Sequence, residues 1–212
     1  MTQSKVFINL GDESTAPGVT LQSEQMLDMN FDLQPTLQND DAILIPLQVG
    51  DFETLFALAS DAAIWAQHPN RDRYKKEVFR TFFEGAIQSR GAFLIVDKHS
   101  GKAVGSTRFY DFDGESGSIF IGYTFYARSH WGTGLNASVK RLMLDYAFRS
   151  VSKVFFHIGS ENTRSQIAIS RIGAQKVAEQ EVVYFGEPTR LNFVYQIDRR
   201  NWPALSIKTK TT

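Results

Sequence analysis

Apolar positions recur along this chain in two rhythms, and the switch between them marks the elements. Alternating or continuous apolar runs predict strands at Ala42–Ile45, Phe93–Val96, Val104–Tyr110, Ser118–Tyr126, Val154–Ile158, Val177–Phe185 and Leu191–Ile197. In the run from Ser118 to Tyr126, Ile119, Ile121, Tyr123 and Phe125 alternate against Phe120, Gly122, Thr124 and Tyr126, so both faces are largely apolar and a central strand is expected. Spacing of three and four predicts helices elsewhere. One carries Phe52, Leu55, Phe56 and Leu58 behind Asp51 as N-cap with Thr54 at N3, and a short segment from Trp65 to His68 ends at Pro69. Another, from Lys75, places Val78, Phe79, Phe82, Phe83, Ala86 and Ile87 on one aromatic face. A third carries Leu135, Val139, Leu142, Met143, Tyr146 and Ala147 inward, with Lys140 and Arg141 expected outward. A last short helix runs from Asn162 as N-cap through Ile167, Ala168 and Ile172 to a stop at Gly173.

Turns fall between these elements, at Lys98–Lys102 with Gly101, at Asp113–Gly114–Glu115 and at Gly186–Glu187–Pro188. The order reads β, α, α, β, β, β, α, β, α, β, β. This is a mixed α/β pattern around a largely antiparallel sheet, without the strict alternation of a doubly wound fold. Residues 1–37 read as a polar N-terminal extension, 38–205 as the folded domain, and 206–212 as a tail.

Composition changes this picture little. A chain of 212 residues with 42% hydrophobic residues suits one core, and 23 basic residues balance 23 acidic ones, so no global field draws it to nucleic acid or an anionic membrane. It contains no cysteine, which removes disulfides, thiolate metal sites and a cysteine nucleophile. No apolar run approaches the roughly 18 residues of a membrane span, and the first residues hold one short apolar island, Val6, Phe7, Ile8 and Leu10, but no continuous apolar core of a signal peptide. A soluble, cytoplasmic protein is expected. Four histidines without ligand spacing argue against a metal site.

The candidate chemistry starts at Trp131–Gly132–Thr133–Gly134–Leu135–Asn136, between the central strand and a helix. Glycines at such a junction let the backbone approach a ligand, and the free N–H groups of the helix start make an anion site without a basic side chain. A plain tight turn has the same composition. Downstream, Asn162 and Ser165 open another helix, where such residues serve as caps. Arg71, Arg73, Lys75 and Lys76 form a basic cluster that reads as a solvated helix start or a site for an acidic peptide.

The order of elements, the Ile121–Gly122–Tyr123 triplet, the loop from Trp131 to Asn136, the helix with Lys140, Leu142, Met143, Leu144 and Phe148, the run Asn162, Arg164, Ser165, Ala168, Ile172, Gly173, Ala174, and Trp202–Pro203 together resemble the GCN5-related N-acetyltransferase (GNAT) family, in its RimJ/RimL-type branch. The resemblance spans about Gln38 to Leu205. It implies a sheet with a splayed central strand pair, acetyl-CoA as cosubstrate, and no metal. It further implies that backbone amides of Trp131, Gly132, Thr133, Gly134, Leu135 and Asn136 hold the pyrophosphate, that the backbone near Phe125 pairs with the pantetheine arm, and that Asn162 borders the cofactor. Trp131 and Asn136 stand where the wider family has Gln or Arg and Gly or Ala.

For the proton that the departing thiolate takes up, the wider family uses a tyrosine at the place of Ile169; in the resembled branch a serine at the place of Ser165 takes that part. Many relatives carry a glutamate base where this chain has Phe120. Removal of a proton from an ammonium acceptor then falls to Glu115, Asp111, His157, Tyr184 or water. Trp65, His68 and Phe83 would border the acceptor cleft. The implied activity is transfer of an acetyl group to a primary amine of a small molecule or a protein N-terminus by direct attack in a ternary complex. The rival readings are a non-catalytic acyl-CoA-binding or regulatory module of the same fold and a structural protein that binds no CoA. Edge strands at the C-terminal end could pair two copies into a homodimer.

Overall fold

The computed structural model describes residues 31–203. Residues 1–30 of the expected 1–37 extension, 204–205 of the expected domain and the tail at 206–212 lie outside the described residues. Strands β1 (Leu37–Gln38), β2 (Ala42–Pro46), β3 (Ala92–Asp97), β4 (Ala103–Asp113), β5 (Ser118–Tyr126), β6 (Lys153–Gly159), β7 (Gln175–Val182) and β8 (Arg190–Asp198) form one sheet in the order β1-β2-β3-β4-β5-β6-β8-β7. Every neighbouring pair is antiparallel except β5 and β6. The mixed, largely antiparallel architecture expected from the pattern is present.

Helices α1 (Phe52–Ala59), α2 (Ala62–Trp65) and α3 (Lys76–Gln88) cover one face of the sheet, while α4 (Leu135–Ala147) and α5 (Thr163–Ser170) pack with the core of the other. The two cores differ in chemistry. Under α4, aliphatic residues such as Val139, Leu144 and Ile119 dominate; under α1–α3, Phe79, Phe82, Phe83, Trp65 and Phe125 meet ring to ring. The aromatic stripe of α3 is therefore core, as its spacing implied.

Four local readings change. The chain contains a third helix before the β3–β4 hairpin and a short β1 that pairs Leu37 with Leu44; just before it, Phe31 packs on Phe109 and Phe112. Asp51 does not cap α1: it has helical φ/ψ, and its carboxylate accepts the Gln48 N–H at 2.8 Å, closing a 3-10 turn over Val49–Asp51 that leads into the helix. The strand expected to reach Phe185 ends at Val182, so that Tyr184 turns inward.

The fourth concerns β5. Arg108 pairs with Gly122 but Ser106 with Phe125, which leaves Tyr123 and Thr124 opposite Thr107 alone. This is a β-bulge, and Tyr123 has φ 52°. The extra residue resets the alternation. Ile119, Ile121 and Tyr126 face the α4 core, whereas Tyr123 and Phe125 face the aromatic core, so the expected partnership of Tyr123 and Phe125 with Ile121 fails.

Candidate active site

Beside the bulge the sheet opens. The parallel pairing of β5 with β6 is confined to Ser118–Lys153, Ile119–Val154 and Phe120–Phe155, after which β5 runs on to Tyr126 and β6 to Gly159 without pairing. A cavity of about 660 Å³ lies along the gap. It reaches from Trp131, Gly132 and Gly134 at one end to Trp65, Tyr110 and Tyr184 at the other.

The first end is built from backbone. Gly134 precedes α4 with φ 90° and Gly132 has φ 73°, conformations that β-carbon-bearing residues adopt at a cost. A Cβ at either glycine would meet no atom within 4 Å, so the space beside them is open. No side chain caps α4. Among the described residues, no acceptor meets the N–H groups of Gly132, Gly134, Asn136 or Ala137, and the Leu135 N–H reaches only the Thr133 hydroxyl at 3.4 Å. That hydroxyl donates to the His130 carbonyl at 3.0 Å, which fixes the loop. The Trp131 indole donates to the Tyr126 carbonyl at 3.2 Å, and the Arg164 guanidinium lies 4.0 Å from its ring centre while donating to the Ile64 carbonyl at 3.1 Å. The junction is thus a rigid loop with unpaired N–H donors beside a helix N-terminus, a donor set that fits a diphosphate.

Lys140, expected outward, is 3% exposed and borders this cavity. Its ammonium donates to the Thr124 hydroxyl at 2.6 Å and the Thr107 hydroxyl at 3.1 Å. The inward stripe of α4 runs through Leu135, Val139, Lys140, Met143, Leu144 and Ala147, so helical spacing places residue 140 inside despite its charge.

Asn162 and Ser165 also border the cavity. The Asn162 side chain accepts the Ser165 N–H at 3.1 Å and so caps α5, the structural part foreseen for it. Ile169 lies buried in the α4 core. Phe125 packs its ring 5.2 Å from Trp65, leaving its backbone on the strand that lines the gap.

The second end is built from side chains that are distant in the chain. Phe120 stacks on His157 at 4.4 Å and on Phe155 at 5.2 Å. The Tyr110 hydroxyl lies 3.3 Å from His157 Nδ1. Burial pulls His157 down to about 4, so its imidazole is neutral near pH 7. Tyr184 donates to the Asn192 side chain at 2.8 Å, and burial raises its phenol above the ordinary range. Of the groups considered as proton acceptors, His157 and Tyr184 border the cavity, whereas Glu115 and Asp111 do not. Trp65 and His68 border it too; Phe83 does not and belongs to the aromatic core.

Of the basic cluster, Arg71, Lys75 and Lys76 are exposed around the start of α3, as a solvated helix start requires, but Arg73 is not. Arg73 is 1% exposed and pairs with Glu187 at 2.6 Å, with Phe82 under its guanidinium at 4.3 Å and His68 Nε2 at 3.1 Å. Burial and this neighbouring cation hold His68 well below its ordinary pKa. Arg71 pairs with Glu161, Lys75 with Asp72 and Lys76 with Glu53, so each member of the cluster already has a carboxylate. The partners of Arg71, Arg73 and Lys76 sit in other elements, which is why charge counting along the sequence missed them.

Residues 41–175 match the acetyltransferase (GNAT) domain family. The chain belongs to the GNAT acetyltransferases. No curated protein sequence matches this GNAT chain. Solved structures share its fold. A probable GNAT-family acetyltransferase from Chromobacterium violaceum is 20% identical with a TM-score of 0.73, covering 90% of this chain and 99% of that one. RimJ of Mycobacterium smegmatis in complex with CoA-disulfide is 17% identical with a TM-score of 0.59, over 76% and 84% of the two chains. Spermidine N-acetyltransferase from Vibrio cholerae in complex with CoA and spermine is 16% identical with a TM-score of 0.59, over 77% and 98%. Among the described residues no cluster of metal-ligating side chains occurs, and no helix is long and apolar enough to cross a membrane.

Proposed function

We propose that this GNAT chain transfers an acetyl group from acetyl-CoA to a primary amine, of a small molecule or a protein N-terminus, by direct attack of the amine in a ternary complex. The observation that carries the reading is the meeting of two features in one cavity: a glycine-opened helix start with unpaired N–H groups and the gap where β5 leaves β6. When bound, acetyl-CoA supplies an activated acyl group on a thiol leaving group. The loop from Trp131 to Asn136 holds its diphosphate, the β5 backbone near Phe125 its pantetheine arm, and Asn162 fixes the start of α5 beside it. The aromatic end orients the amine and excludes water. Ser165, which borders the cavity, passes a proton to the departing sulfur, as in the RimJ/RimL-type branch that the sequence resembles.

Calorimetry with acetyl-CoA, run beside a thiol-release assay on amines of different charge and size, tests this. Binding with turnover on an amine supports it. Binding with no turnover on any amine favours a CoA-binding module, a reading to which Phe120 and Ile169 at the expected acid-base places lend weight. No binding removes both.

A further inference from the structure

Three cationic side chains are buried among the described residues, Arg73, Arg108 and Lys140. Arg73 has Glu187. Arg108 lies 4.0 Å from the centre of the Tyr123 ring and donates to the Gly85 carbonyl at 3.1 Å. Lys140 alone has neither a carboxylate nor a ring face. It takes part in none of the ion pairs among the described residues, and the groups that face its ammonium are the hydroxyls of Thr107 on β4 and Thr124 on β5. The rest of its helix stripe is apolar, and on β5 the buried phenol of Tyr126, a residue that also borders the cavity, has no hydrogen-bond partner among the described residues.

A desolvated ammonium without a counter-charge is costly, and a methionine or leucine would fill the same place in the stripe without that cost. Two hydroxyls do not neutralise it. The missing charge can arrive only through the open side of its site, which is the cavity. Helical side chains lean toward the helix N-terminus, which directs the lysine stem toward the glycine junction.

We infer that Lys140 is the cationic partner of an anionic group carried by the ligand of this cavity. The inference rests on the proposed function, under which that ligand is acyl-CoA and the anion is its diphosphate or the thiolate released in the reaction. Burial pulls Lys140 down to about 7, with no charged neighbour contributing, so the unliganded side chain is largely neutral at about pH 8 and takes up a proton when the anion arrives.

The experiment compares wild type with Lys140→Met by thermal unfolding without ligand and by calorimetry with acetyl-CoA, CoA and S-acetylpantetheine. Binding heats are taken at about pH 8 in buffers of different ionisation enthalpy, so that protons are counted. The expected result is a variant that melts higher than wild type when empty, binds acetyl-CoA at least about tenfold more weakly and takes up no proton. If S-acetylpantetheine, which lacks the diphosphate, binds both proteins equally, the diphosphate is the partner; if the loss appears with CoA and not with acetyl-CoA, the thiolate is. Unchanged affinity of the variant for both CoA forms overturns the inference. A wild type that takes up no proton with acetyl-CoA excludes the diphosphate, and one that in addition binds CoA no more tightly than acetyl-CoA overturns the inference, because a thiol that passes its proton to Lys140 gives tighter binding without net uptake; these two measurements decide alone if the variant fails to fold. Wild type that binds no acetyl-CoA rejects the transferase reading itself, an outcome distinct from binding that ignores residue 140.

Discussion

At one end of the cavity, Gly132, Gly134 and Asn136 provide unpaired N–H groups from a single loop, while the Trp131 N–H, expected among them, is taken by the Arg128 carbonyl at 3.1 Å; at the other, Trp65, Arg73, Tyr110, His157 and Tyr184 converge from helices, strands and turns spread over more than half the chain. The glycine end is local, and its geometry follows from left-handed φ values at Gly132 and Gly134. The aromatic end is tertiary, held by a buried ion pair, ring stacking and the way β6 leaves β5. A perturbation of the second end should therefore register in stability and acceptor handling, and one of the first in cofactor affinity.

The largest effect expected is from Glu187→Gln. It leaves the Arg73 guanidinium buried without its counter-charge, and a loss of about 3–5 kcal/mol in unfolding free energy by denaturant titration is expected, with acetyl-CoA affinity changed less than about twofold. Equal losses in both measurements would show that the two ends do not act separately.

Next comes pH. His157 binds a proton near 4 in the folded protein and near 6.5 when unfolded, so between these values the unfolded chain holds more protons and stability rises with pH. Stability contributed by the neutral imidazole is complete above about 6.5 and is lost as pH falls toward 4, a change of about 3 kcal/mol. Below about 4 this contribution is flat. In His157→Gln the slope over that window should shrink by the same amount; a wild-type slope retained in the variant removes His157 as its source.

Smaller effects belong to the glycine end. Gly134→Ala meets no neighbouring atom but must hold φ 90°, so a loss of about 1–2 kcal/mol in stability is expected, together with about tenfold weaker acetyl-CoA binding by calorimetry. The smallest contrast lies on α5. Asn162→Ala removes the cap and should cost about 1 kcal/mol, whereas Ser165→Ala keeps the capped N–H and should stay within about 0.5 kcal/mol while lowering turnover. Turnover unchanged in Ser165→Ala excludes that hydroxyl from proton transfer.

Much of this was readable along the chain. The aromatic face of α3, the hairpin of β3 and β4, the glycine junction and the Asn162 cap all rest on residues close in sequence, where spacing and turn chemistry act. Lys140 was misread because charge was given priority over spacing; the intervals from Val139 to Ala147 already placed it inside. Arg73 was misread for a different reason, since nothing near it announces Glu187. The bulge at Tyr123 was invisible too: an inserted residue in a strand whose faces are both apolar leaves no mark in the alternation.

The amino-acid sequence by itself determined the mixed architecture and the loop that opens α4, because each follows from short-range periodicity, glycine conformation and the order of elements; the family rests on the match of residues 41–175 to the GNAT domain, which the motifs already resembled. Only the tertiary structure decided that β5 and β6 part beyond Phe120 and Phe155, which side chains line the gap, and that a lysine sits beneath it without a carboxylate. Those outcomes depend on strand register and on packing between distant segments, and burial sets the charge of a group by what surrounds it in space and not by its neighbours in the chain.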